Sequence, residues 1–135
     1  MTKLDDILQS VIADMDGVFG YAVIDMNSRQ LLGVAHKVDF LTPSYLEALA
    51  AAAAEMLRGK PVRAVESLLS AKLGKTISNS INDICINAGD TRHFMAVIPE
   101  KPDLLVMLST DKNTSVAMGW ITIQRNMGLI TEHCA

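Results

Sequence analysis

Between Leu46 and Lys60 the chain reads LEALAAAAAEMLRGK. Alanine is the residue with the highest intrinsic helix propensity, and leucines recur through the run, so this stretch is a helix. Set out at about 3.6 residues per turn, Leu46, Leu49, Ala50, Ala53, Met56 and Leu57 share one face and form a core stripe. The remainder carries Glu47, Ala48, Ala51, Ala52, Ala54, Glu55 and Arg58. Long polar side chains usually cover the outward side of a surface helix, and here methyl groups cover most of it. A fold that contains this helix must therefore bury one face and find a use for a smooth back.

Composition sharpens the constraint. The chain has 135 residues, of which 50% are apolar and 20% charged. That length fits a single domain, residues 1–135, with a core large enough to need no disulfide or metal staple. The apolar excess is what an oligomer would absorb. A formal charge of −3 argues against non-specific nucleic-acid binding, which depends on clustered Lys and Arg neutralising phosphates. Charge is nonetheless uneven. Asp5, Asp6, Asp14 and Asp16 crowd the N-terminal segment, and Arg58, Lys60, Arg63, Lys72 and Lys75 face only Glu66 in the segment after the Ala-rich run. Cys85 and Cys134 follow no metal spacing and read as free thiols in a reducing compartment. No signal peptide or membrane-spanning stretch is evident, so the expected location is cytoplasmic and no membrane partner is expected.

Along the chain, Leu4, Ile7, Leu8, Val11, Ile12 and Met15 recur at helical spacing, with Thr2 and Asp5 placed as an approximate capping box and Gly17 as the stop. Val18 to Asp25 and Gln30 to His36 predict a hairpin around a polar turn. The Ala-rich helix begins either at Thr42 with Pro43 or at the Ser44 to Glu47 pair, and ends at Gly59. A further helical segment, within about residues 61–80, follows from the stripe Val62, Val65, Leu68, Leu69 and Leu73, with Gly74 as terminator. Ile81 to Asn87, Arg92 to Ile98 and Leu104 to Ser109 predict a three-stranded meander. Val116, Trp120, Ile123, Met127 and Ile130 predict a last helix, capped by Thr110 or Asp111. The order helix, two strands, helix with its added helix, three strands, helix fits an α+β domain with one five-stranded antiparallel sheet flanked by helices.

Catalytic chemistry is thin. LSAKLGKT ends like a phosphate-binding loop, but Leu69 stands where the pattern demands glycine, and a helix C-cap accounts for Gly74. Cys85 and His93, with Asp90 nearby, would be the natural nucleophile pair; a small buried Cys on a strand and a His at an edge-like strand start explain them better, without catalysis. His36 reads as a strand-end residue. His133 and Cys134 sit at a terminus expected to fray, without further ligands for zinc. The Asp5–Asp6 pair lies in a first helical turn, where negative charge complements the helix dipole. The chain is therefore expected to be no enzyme and to hold no metal or cofactor.

The closing segment NTSVAMGWITIQRNM, following DLLVMLSTDK, resembles the end of roadblock domains, the dynein light-chain roadblock family and its bacterial relatives. GYAVIDMNSRQLLGVA is similar to that family's first hairpin, and YLEALAAAAAEML to its Ala-rich central helix. The resemblance runs from about Leu4 to Met127, and the basic helical segment at 61–80 departs from the simplest family plan. It implies a roadblock/profilin-like architecture and homodimers or heterodimers in which the central helices pack together and the middle strand pairs across the two-fold axis. Ala48, Ala51 and Ala52, with Glu55 on the polar rim and Ile84 and Ile86 on the strand, are then the expected dimer interface. Family members bind Ras-like small GTPases. The resemblance thus implies a non-enzymatic dimeric regulator or scaffold for such a GTPase, with Arg58, Lys60 and Arg63 as expected partner-binding residues. The alternative class is a ligand-sensing profilin-like or sensory module, which would need a pocket between sheet and helix with convergent polar groups.

Overall fold

The computed structural model describes residues 3–134, so Thr2, the expected cap of the first helix, lies outside them. The chain runs α1 (Lys3–Ala13), β1 (Val18–Asp25), β2 (Leu31–His36), α2 (Pro43–Arg58), α3 (Lys60–Leu73), β3 (Asp83–Ala88), β4 (Thr91–Ile98), β5 (Lys101–Asp111) and α4 (Val116–Glu132). The strands form one five-stranded sheet in the order β2-β1-β5-β4-β3, antiparallel at every pairing.

The punctuation of the sequence fixes most boundaries. Thr42 is the cap of α2: its Oγ accepts the Tyr45 N–H at 3.2 Å, and Pro43 fills the first turn, where a missing N–H costs nothing. Gly59 ends α2 and opens α3, and Gly74 closes α3 in the left-handed conformation at φ 67°. One expectation fails at α4. Its cap is Ser115, which accepts from Met118 N–H at 3.1 Å, because β5 runs on through Thr110 and Asp111. The Asp111 carboxylate instead shapes the connecting loop, accepting from the N–H groups of Asn113 and Thr114 at 3.1 and 2.9 Å.

Alternation along the strands builds two cores. On one face α1 and α4 cover Tyr21, Val23, Phe94, Ala96, Val106 and Leu108. On the other, α2 covers Ala22, Ile24, Met95, Val97, Leu105 and Met107. At the β2 edge Asp5 does more than complement a dipole: its carboxylate accepts the Val34 N–H at 2.7 Å and ties α1 to the strand. Of His133 and Cys134, expected at a fraying end, the second is packed away. Cys134 is buried in the α1/α4 core, and Lys101 Nζ donates to its carbonyl. Trp120 packs edge-on against Phe94 at 5.2 Å.

Two substitutions test this packing. At Gly119 an added Cβ would run into the Phe94 ring, whereas at Gly128 nothing lies within 4 Å. Gly→Ala in a helix interior gains about 0.5–1 kcal/mol from propensity alone. Overpacking costs about 1–3 kcal/mol and outweighs that gain at Gly119. Urea unfolding is expected to show Gly128→Ala stabilised and Gly119→Ala destabilised by about 1–2 kcal/mol net. The Tyr21 hydroxyl is buried without a hydrogen-bond partner among the described residues. In the same assay Tyr21→Phe is expected to match the wild type or exceed it by about 1 kcal/mol.

Candidate interaction surface

The buried stripe of α2 is narrower than its periodicity suggests. Leu46, Ala50, Ala53 and Leu57 face the sheet and are fully covered. Leu49 is half-buried and Met56 is 38% exposed, so both lie on the flank of the helix and not in its core stripe. Tyr45 joins them on that flank, also 38% exposed. The expected interface residues Ala48, Ala52 and Glu55 occupy the outward side and are exposed, while Ala51 is half-buried.

Ile84 and Ile86 are half-buried on β3, and they pack against the same cluster that α2 covers. β3 is an edge strand whose hydrogen-bonded neighbour is β4. The structure thus brings the two parts of the expected interface to one side of the molecule. Ala48 and Ala52 on the back of α2, and Tyr45, Leu49 and Met56 on its flank, leave apolar groups open on the sheet face that carries Ile84 and Ile86. The sequence could not separate Leu49 and Met56 from the core, and Tyr45 carried no signal of its own.

The three basic residues separate. The Arg58 guanidinium donates to the carbonyls of Leu57 at 3.0 Å and Ile81 at 2.6 Å, and to Asn82 Oδ1 at 3.4 Å. It therefore ties the end of α2 to the segment that enters β3. Arg58 and Arg63 both line a groove of about 270 Å³ with Met26, Asn27, Ala54, Asn79, Pro102 and Asp103. Lys60 is exposed and is not part of that groove.

A polar relay lies under the start of α2. His93 is 1% exposed, so it does not sit at an edge-like position: β4 is interior, between β5 and β3. Its Nδ1 lies 2.8 Å from Ser109 Oγ and its Nε2 3.2 Å from the Tyr45 hydroxyl. Burial holds His93 below the ordinary histidine value. Cys85, whose thiol burial pushes up, packs against the α1/α4 core, on the sheet face opposite His93. The two cannot act as a nucleophile and base. Among the described residues no group of three or more His, Cys, Asp or Glu is placed to hold a metal ion, and no helix is long and apolar enough to cross a membrane.

No protein-family model matches the sequence, and no curated protein matches it. Solved structures do match the architecture. A Roadblock/LC7 domain from Streptomyces avermitilis superposes with a TM-score of 0.67 at 8% identity, over 95% of this chain and 94% of that one. The chain has the roadblock fold. Myxococcus xanthus MglB shares that roadblock fold at a TM-score of 0.65 and 15% identity, over 98% of this chain and 94% of that one. So does an MglB with tetrameric arrangement, at 0.68 and 14% identity over 98% and 88%. At these identities the likeness speaks for the fold.

The buried imidazole makes stability pH-dependent with a definite sign. Its native pKa is depressed, so the unfolded chain takes up a proton where the native ring does not. The contribution is complete above about pH 6.5, the ordinary histidine value, and is lost as pH falls from there through the native value. Glu66, held low by hydrogen bonds from Ser80, titrates in a lower range. Urea midpoints taken between about pH 7.5 and 5.5 are expected to fall in the wild type and to flatten in His93→Gln.

Proposed function

We propose that the protein is a non-enzymatic dimeric platform for a Ras-like small GTPase. The observation that carries this reading is the placing of exposed methyl groups on α2 and of the open edge strand β3, with Ile84 and Ile86, on the same side of the sheet. Alanine methyls let two helix backbones approach closely, and an open strand edge supplies backbone hydrogen bonds to a second sheet. One burial event would then satisfy both and absorb the apolar excess of the composition. The roadblock fold supports the reading, as does the tetrameric arrangement described for one MglB structure.

In this reading Ala48, Ala51, Ala52, Ile84 and Ile86 form the contact, with Glu55 at its rim. Arg63 and Lys60 remain available to a GTPase, while Arg58 acts by holding the entry to β3. The space between α2 and the sheet is filled by Leu46, Ala50, Ala53, Leu57, Met95, Leu105 and Met107, which favours a surface function over the ligand-sensing alternative.

Sedimentation equilibrium of the wild type over a range of concentrations is expected to give a dimer. Ala52→Arg places a charge in the contact and is expected to weaken dimerisation at least about tenfold, or by about 1.4 kcal/mol. Small GTPases encoded in the same genome are expected to include one that binds the dimer and whose GTP turnover changes. A wild type that stays monomeric throughout the range, or a dimer to which none of those GTPases binds, would refute the corresponding half of the proposal.

A further inference from the structure

We infer that α3 is a clasp: its apolar groove receives the aromatic start of α2 from a second copy of the chain. This rests on the dimer reading above and adds a second contact to it.

The helix is firmly placed. Gly59 caps both neighbours, its N–H donating to the Glu55 carbonyl at 2.9 Å and its carbonyl accepting from Arg63 N–H at 3.0 Å. Ser80 donates to the Glu66 carboxylate through its hydroxyl at 2.6 Å and its N–H at 2.7 Å. Ser70 Oγ accepts the Ile77 N–H at 2.8 Å. These bonds hold one side of α3 against the loop that leads to β3.

The adjoining side has no occupant within the described chain. Val65 and Leu69 on that side are 56% and 42% exposed, while Leu68, 66% exposed, lies away from it. Pro61, Val62, Val65, Leu69 and Ile81, with the hydrogen-bonded Glu66 and Ser80 between them, line a groove of about 360 Å³. Ile81 lies just ahead of β3, so the groove opens toward the sheet edge that the dimer reading uses.

A second uncovered apolar feature lies at the other end of α2. Phe40 is 45% exposed and packs edge-on between Phe19, at 5.6 Å, and Tyr45, at 6.2 Å. Tyr45 is held by His93, an anchor whose position is set before any partner arrives.

A two-fold axis brings these features together. Tyr45 reaches His93, which pairs with Ile86 near the end of β3, while Arg58 reaches Ile81 and Asn82 ahead of its start. α2 and β3 therefore run in opposite directions over similar lengths, about 24 Å for 16 helical residues. Pairing β3 antiparallel with its copy lays the start of the partner's α2 beside the end of this one, where the groove opens. The contact is isologous, so each copy supplies one groove and one aromatic end.

Charge selects the same mate. The charges that α3 exposes, Lys60, Arg63 and Lys72, are all basic, because its acid Glu66 is turned inward onto Ser80. A second α3 would be repelled. Asp39 and Glu47, both exposed, flank the aromatic end in sequence and provide the opposite sign, while the ammonium of the nearby Lys37 is turned onto the Met15 carbonyl at 2.7 Å.

The test is the dimer dissociation constant of full-length variants. Leu69→Asp in the groove and Phe40→Ala at the aromatic end are each expected to raise it at least about tenfold, with thermal unfolding of the dilute monomer unchanged for Leu69→Asp and still cooperative for Phe40→Ala, which also loses its contacts to Phe19 and Tyr45. Leu68→Asp, on α3 but outside the groove, is the control and is expected to leave it alone. Combining Leu69→Ala with Phe40→Ala is expected to cost less than the sum of the single changes, since each removes one half of the same contact. If Ala52→Arg separates the copies while Leu69→Asp and Phe40→Ala do not, the clasp is wrong and the dimer stands. If Leu69→Asp spares the dimer but abolishes GTPase binding, the groove belongs to that partner and the clasp is equally overturned. A wild type that never dimerises removes both readings.

Discussion

The pairing of β1 with β5 holds the molecule together. These strands lie side by side in the middle of the sheet, aligned from Val18 with Thr110 to Asp25 with Leu104. One belongs to a hairpin near the N-terminus and the other closes a meander near the C-terminus, so the ladder joins two locally folded pieces into one sheet. Its alternating residues also found both cores: Val23, Val106 and Leu108 face α1 and α4, while Ala22, Ile24, Leu105 and Met107 face α2. With this pair in the centre, β2 and β3 necessarily become the edges.

Small residues then decide how closely the helices approach. Ala50 and Ala53 alternate with Leu46 and Leu57 where α2 meets the sheet, and Gly119 lets α4 settle onto the Phe94 ring. Close seating leaves the flank of α2 open on the side of β4 and β3. There Tyr45 can reach a histidine that the sheet otherwise buries. Burial of that ring without a charged partner depresses its pKa, and the same contact fixes the orientation of the phenol.

What could be read in advance follows from the range of the forces involved. Caps, turns and alternation are local, so the helix ended by Gly59, the hairpin from Val18 to His36 and the glycine closing α3 are legible in the residues themselves. The joining of β1 to β5 depends on residues far apart in sequence and leaves no local trace. The relay linking Tyr45, His93 and Ser109 is hidden for the same reason. A different ambiguity affects Leu49, Met56 and the leucines of α3. Periodicity records that a face is apolar, without recording whether the chain covers it with its own core, and here much of it stays uncovered. Asp111 misled as a cap because a carboxylate that folds a loop and one that starts a helix have the same composition around them.

The carboxylate of Asp5 on the Val34 N–H has a consequence for stoichiometry. An open sheet has two margins, and one that can be extended from both is a seed for indefinite stacking. With α1 fastened at Val34, that margin offers one strand donor fewer to a newcomer. Lateral pairing is thereby biased toward the β3 margin, and a bias of this kind works against filaments.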